Sequence, residues 1–148
     1  MAYWRLFYHL VWGTKRREPL ITPEVEAIIS RSFDLTGDDV ELLTHARGFM
    51  PDHVHLALSI PPKLAITEAV RRLKGASSHA VNQLLPQQTF GWQGSYGVLS
   101  FGERHLGSVN AYVRNQVERH ARSTLNRALE QTETAGPRVE SASTDFRR

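Results

Sequence analysis

Between Tyr3 and Phe101 strand-like runs alternate with two long stretches of helical period, and this order constrains the fold more than any other feature. Tyr3 to Trp12 alternates loosely and is rich in aromatics, as a strand is. Thr22-Pro23-Glu24 opens a helix, with Thr22 as N-cap, proline in the first turn and acids at the positive end of the dipole. Val25, Ile28, Ile29 and Phe33 make one apolar face, and the helix is predicted to end near Gly37. Val40 to Ala46 is a second strand. A bend in Gly48 to Asp52 precedes or opens a third, which runs to Ile60 and stops at Pro61-Pro62. Ala65 to Leu85 is helical again, with Ile66, Ala69, Val70, Leu73, Ala80, Val81 and Leu84 on its buried side and Gly75 as an interruption. A loop from Gln87 to Gly97, a short strand over Val98 to Phe101 and a last helix from Leu106 to about Leu129 complete the series.

The predicted order, β-α-β-β-α-β plus a helix, is the ferredoxin-like α+β arrangement: an antiparallel sheet with both crossover helices on one face. In that topology the first and third strands lie together at the centre. The opposite face is left for the last helix or for a ligand such as DNA. Residues 1–129 are predicted as one domain, and the Ser/Thr-rich, apolar-poor residues 130–148 as a disordered tail.

Composition narrows the function classes. With 41% hydrophobic and 22% charged residues the chain is of the soluble globular type. No run approaches the roughly 18 consecutive apolar residues of a membrane helix, and the start lacks the apolar core of a signal peptide. With no cysteine there is no disulfide and no thiolate zinc site. A cytoplasmic location is therefore expected, with no membrane partner. The net charge of +3 is unevenly spread. Residues 22–52 carry two basic and seven acidic side chains, a net of −5, whereas residues 1–21 and 98–129 each carry +3. One part of the molecule should repel phosphate and two others attract it.

The chemistry centres on His53-Val54-His55. Side chains two apart on a strand share a face, so two imidazoles project side by side. Imidazole favours zinc, manganese and other transition ions over magnesium. No third histidine stands at a fixed spacing, so a closed structural zinc site is not expected. In the last helix Tyr112 and Gln116 are four apart and share a face, beside the apolar stripe of Leu106, Val109, Val113 and Val117. Spacing alone leaves two readings open. Tyr112 can be a rim-of-core tyrosine and Gln116 a solvated amide, or the set can support metal-assisted attack on a phosphodiester. Tyr3 and Tyr8 fit packing positions in the first strand, and Tyr96 lies in a glycine-rich loop without an amide one helical turn away. Gly102 and Gly107 fit ordinary turns before the last helix, or hinges that let it move.

Met50-Pro51-Asp52-His53-Val54-His55-Leu56 resembles the His-hydrophobic-His (HUH) motif of single-tyrosine insertion-sequence transposases, and Tyr112-Val113-Arg114-Asn115-Gln116 resembles that family's Tyr-x-x-x-Gln helix. Tyr8 to Arg17, Leu73 to Ser78 and Trp92 to Val98 are also similar to family segments, in the same order, so the likeness spans roughly residues 3 to 122. The REP-associated tyrosine transposases are a closely related subgroup. The resemblance implies that Tyr112 is the nucleophile and that His53, His55 and Gln116 bind one divalent ion, Mg or Mn. It implies single-stranded or hairpin DNA as substrate, cut through a 5′-phosphotyrosine, and a homodimer as the assembly with a monomer as the subgroup's alternative. Family members often carry paired histidines just after the glutamine, whereas here Arg119 precedes His120.

Candidate phosphate contacts are Lys15, Arg16, Arg17, Arg71, Arg72, Lys74, Arg114, Arg119 and Arg122. Trp12 and Trp92, with Phe90, are candidates for base stacking or for the core. Two rival functions share these residues: a domesticated nucleic-acid binder that does not cut, and a metal phosphoesterase that uses water in place of Tyr112.

Overall fold

The computed structural model describes residues 2–122 and 125–133. Its elements are β1 (Phe7–Gly13), α1 (Pro23–Val40), β2 (Leu43–Met50), β3 (His53–Ser59), α2 (Ile66–Leu84), β4 (Gly97–Phe101), α3 (Leu106–Arg114), α4 (Gln116–Ala121) and α5 (Arg127–Glu130). The four strands form one antiparallel sheet in the order β2-β3-β1-β4, so β1 and β3 are central, as the ferredoxin-like reading requires. Among the described residues no helix is long and apolar enough to cross a membrane.

Alternation along the strands divides the apolar side chains between two layers. Leu10 and Trp12 of β1 and Val54, Leu56 and Leu58 of β3 pack against Val25, Ile29 and Phe33 of α1 and Ala69, Val70, Leu73 and Val81 of α2. On the other face Phe7, Ala46, Ala57 and Phe101 meet Val109 and Val113 of α3. The last helical region therefore covers the sheet face that the two crossover helices leave bare. His53 and His55 point into this second layer, opposite Val54.

Several boundaries differ from expectation. β1 begins at Phe7 and leaves Tyr3 outside it and 88% exposed, not packed. α1 starts as predicted, with Thr22 Oγ1 accepting from the Val25 amide at 3.2 Å. It runs past Gly37 to Val40, because the chain reverses at Glu41 (φ 62°) and the Leu42 amide returns to the Gly37 carbonyl.

The last helix is broken rather than continuous. α3 gives way to α4 at Asn115 (φ −99°, ψ 29°), where Gln116 Nε2 donates to the Tyr112 carbonyl at 2.9 Å, a side chain inserted into the helical ladder. The same bend lies against Gly48 of β2. A Cβ there would sit 1.8 Å from the Val113 carbonyl oxygen, so glycine alone permits the approach. α5 extends order into Glu130, the first residue of the expected tail. Residues 134–148 of that tail lie outside the described residues.

Candidate metal and nucleophile site

The site is built on β3. His53 is 2% and His55 0% exposed, and their rings lie 5.1 Å apart. Each ring is oriented by its Nδ1: His53 Nδ1 lies 2.6 Å from Asp52 Oδ1, and His55 Nδ1 lies 2.8 Å from Nε2 of the buried His9 on β1. A partner on Nδ1 fixes the ring and leaves Nε2 as the outward donor, as at metal-bound histidines.

Two further side chains converge on these Nε2 atoms, His120 from α4 and Glu130 from α5. One donor atom from each of His53, His55, His120 and Glu130 lies within 4.8 Å of all the others. Glu130 Oε1 is 3.5 Å from His53 Nε2, 3.5 Å from His120 Nε2 and 3.2 Å from His55 Nε2. Three imidazoles and a carboxylate suit a divalent transition ion. Among the described residues His53 Nε2 is buried with no hydrogen-bond partner, and it belongs to this cluster.

Tyr112 is 4% exposed and stands beside this set, its ring 5.9 Å from that of His55. Its hydroxyl donates to Glu130 Oε2 at 2.5 Å and accepts from the Asn126 amide at 2.9 Å. The Arg119 guanidinium lies 5.1 Å from the centre of the ring. Burial pushes the phenol well above its ordinary range, and the bond to Glu130 adds to the rise. Burial alone would raise the Glu130 carboxyl, but His53, His55 and Tyr112 outweigh it and hold the group well below the usual carboxylate range. Desolvation lowers His55, partly offset by Glu130, and lowers His9 strongly, with His55 adding to the fall. Gln116 is 1% exposed, not solvated, and its Oε1 lies 3.1 Å from His120 Nε2.

The sequence-predicted residues His53, His55, Tyr112 and Gln116 thus come together in one chain. Glu130, His9 and Asp52 were not anticipated as site residues, and His120 was noted only as a departure from the family's paired histidines. His120 is one helical turn beyond Gln116 and two beyond Tyr112, a spacing that puts it on their side of the helix. Glu130 carries no comparable signal.

The aromatic candidates for base stacking are engaged elsewhere. Trp12 is 0% exposed, edge-on to Phe33 and Trp92 in the main core, so it cannot meet a base. Phe90 is buried in the same cluster. Trp92 donates Nε1 to Ser77 Oγ at 2.9 Å and stands edge-on to Phe90. Lys74 is not a free phosphate contact. Its ammonium donates to the Gln93 and Ser95 carbonyls at 2.8 and 2.9 Å, near the Trp12 ring, and burial lowers its pKa.

The arginines lie nearer the surface. Arg71 and Arg72 pair with Glu68 and Asp39, Arg16 with Glu18, Arg17 with Asp52, and Arg122 with Glu118. Arg114 donates to the His45 carbonyl at 2.9 Å, and Lys15 lies along Gly91. Exposed ion pairs are worth about 0–1 kcal/mol, so a phosphate can displace the carboxylate. Arg16 and Arg17 hold left-handed backbone (φ 57° and 56°), at a cost of roughly 1–2 kcal/mol each, in a loop pinned where Thr14 Oγ1 donates to the Glu18 carbonyl at 2.5 Å.

Comparison with known proteins gives the family and the fold. Residues 2–116 match the family model described as transposase IS200 like. The ISDra2 transposase TnpA of Deinococcus radiodurans is 33% identical over 121 residues, which are 76% of this chain and 85% of that protein. Among solved structures, a chain from Deinococcus radiodurans R1 assigned as a transposase superposes with a TM-score of 0.63 at 30% identity, over 78% of this chain and 95% of its own. A REP-associated tyrosine transposase bound to a REP hairpin superposes with the same TM-score at 15% identity, over 96% of each chain, a likeness of fold.

Proposed function

Because the chain belongs to the IS200-like transposase family, we propose that this transposase nicks and rejoins single-stranded, hairpin-containing DNA through a covalent Tyr112–DNA bond. One divalent cation, Mg or Mn, is held by His53 and His55 with Gln116 as third ligand. The observation that carries the reading is Glu130, whose carboxylate touches the Tyr112 hydroxyl and the His55 ring together. Nucleophile and donor set therefore share one site, within one chain. That arrangement supports attack in cis.

A bound cation would neutralise the non-bridging oxygens of the scissile phosphate and polarise its phosphorus. The remaining steps belong to the chain. Tyr112 Oη attacks phosphorus in line, the Tyr112–phosphate bond forms, and the P–O3′ bond breaks. The departing 3′ oxygen takes up a proton and leaves as a hydroxyl. A phenol with a reference pKa near 10 must lose its proton first, and Glu130 Oε2 is hydrogen-bonded to that proton. The phosphodiester's energy stays in the tyrosyl bond, so a later 3′-hydroxyl reseals the strand without ATP. The buried wall of His9, His55 and Tyr112 keeps water from competing.

The substrate is proposed as hairpin DNA because a solved neighbour of this fold is a transposase bound to a REP hairpin. The strained loop at Arg16 and Arg17 and the exposed Arg71, Arg72 and Arg122 are the proposed phosphate contacts. End-labelled hairpin DNA, incubated with the full chain and Mn or Mg and then washed in SDS, tests the reading. A protein–DNA adduct that EDTA prevents is expected. Cleavage with no adduct would instead indicate water as nucleophile, and binding with no cleavage a domesticated binder.

A further inference from the structure

We infer that the cation site of this chain extends beyond the proposed His53, His55 and Gln116 to two added donors, His120 and Glu130, with one Glu130 oxygen binding the ion and the other holding the Tyr112 hydroxyl. The inference rests on the transposase reading for placing a cation beside His53 and His55. The two added ligands are a separate claim.

The distances favour ligation over simple ion pairing. A carboxylate that accepts a charge-assisted hydrogen bond sits about 2.7–2.9 Å from its donor. Glu130 Oε1 stands farther off all three imidazoles, at 3.2–3.5 Å. Neighbouring ligand atoms each about 2.1 Å from one ion lie about 3.0 Å apart in octahedral and about 3.4 Å apart in tetrahedral geometry. The Glu130 separations are those of ligands around a shared centre, and all four donor atoms lie within 4.8 Å of one another. His53 Nε2 is buried and makes no hydrogen bond among the described residues, and it is one of the four clustered donor atoms. The Nδ1 anchors on Asp52 and His9 are the outer shell that metal-bound histidines carry. Gln116 Oε1, 3.1 Å from His120 Nε2, places the amide implied by the family resemblance directly beside the added histidine.

Glu130 is held there by packing. Leu129 beside it is 4% exposed, and Asn126 caps α5 by accepting from the Ala128 amide at 3.0 Å. Immediately after Glu130, the Gln131 carbonyl lies 1.8 Å from where a Cβ on Gly97 would stand, so β4 accepts α5 only because residue 97 is glycine. The other Glu130 oxygen bonds the Tyr112 hydroxyl at 2.5 Å, which fixes the nucleophile relative to the ion.

The test is cobalt(II) and manganese(II) titration of the full chain, followed by calorimetry and by the visible absorption of bound cobalt, with circular dichroism confirming the fold of each variant. Glu130→Ala and His120→Ala are each expected to weaken binding by at least about tenfold and to change the cobalt spectrum. Gly97→Ala, which alters no donor but pushes α5 off β4, is expected to weaken binding in the same way. Unchanged affinity and spectrum in folded E130A or H120A overturns the added ligands. His53→Ala separates the two claims. If H53A loses the metal while E130A and H120A keep it, only the added ligands fail. If H53A also keeps it, the cation reading itself fails.

Discussion

The Tyr112 hydroxyl donates to Glu130 Oε2 at 2.5 Å, across 18 residues of sequence. The nucleophile of the proposed reaction is thereby tied to the side chain that touches the site histidines. In the arrangement seen, the phenol is held protonated, since burial and Glu130 both raise it. Loss of Glu130 should therefore act on both metal affinity and attack. We predict that Glu130→Gln, which keeps the size of the side chain but loses its charge, lowers the rate of adduct formation more than it lowers hairpin affinity. Single-turnover kinetics beside a binding titration measure the two; equal losses would argue against the role.

His9 offers a test one layer out. Its Nε2 meets His55 Nδ1 at 2.8 Å, and it is 1% exposed. His9→Ala should free the His55 ring and reduce metal affinity by about 10–100-fold, with His9→Gln, whose amide oxygen reaches the position of Nε2, recovering part of the loss. Calorimetric titration with Mn of both variants decides it. Equal affinities for the alanine and glutamine variants would contradict an orienting hydrogen bond.

Gly48 holds the nucleophile's helix to the sheet. Gly48→Ala puts a methyl group 1.8 Å from the Val113 carbonyl, so backbone must move. We predict a stability loss of roughly 1–3 kcal/mol, the usual cost of overpacking, and a larger fractional loss of adduct, because Tyr112 is on the displaced segment. Urea unfolding and the SDS adduct assay read these separately. A variant that is destabilised but retains full adduct yield would show that the α3 contact with β2 does not position Tyr112.

Acid should destabilise the metal-free chain before any carboxylate titrates. Desolvation lowers His9 and His55, and to a lesser extent His45, from the ordinary value of 6.5. These groups stay neutral when folded, while the unfolded chain takes up protons near pH 6.5. The unfolded state then binds more protons, so stability falls as pH drops below that value. Glu130 is lowered as well, but from a more acidic starting point, so its contribution is present above the ordinary 4.5 and lost only below it. Urea midpoints in EDTA are therefore expected to decline from pH 7.5 to 5. A flat profile would mean that the histidines are not desolvated.

Much of this site can be read from local pattern. Two-residue period put His53 and His55 on one sheet face, helical period put Tyr112 beside Gln116, and the order of elements placed β3 centrally. Burial and long-range return were not readable in this way. Lys74 carries the charge of a phosphate contact, yet its ammonium is tied to the Gln93 and Ser95 carbonyls, a contact set by tertiary packing. Trp12 has the type of a stacking residue and lies in the core, because its strand position faces α1 and α2. The single helix expected over Leu106 to Leu129 broke at Asn115, since the Gln116 side chain competes for the Tyr112 carbonyl and β2 presses on Val113. That break, with the return at α5, brings Glu130 back to β3, and no periodic pattern in a polar stretch announces such a return.

The most direct measurement is to locate the DNA–protein bond by mass spectrometry. The full chain is incubated with hairpin DNA and Mn, digested with nuclease and trypsin, and the peptide bearing the residual nucleotide is sequenced. The account predicts a nucleotide 5′-phosphate on Tyr112, and no linked peptide from Tyr112→Phe. A link through Tyr96 or another residue, or cleaved DNA with no linked peptide in the parent chain, would contradict it.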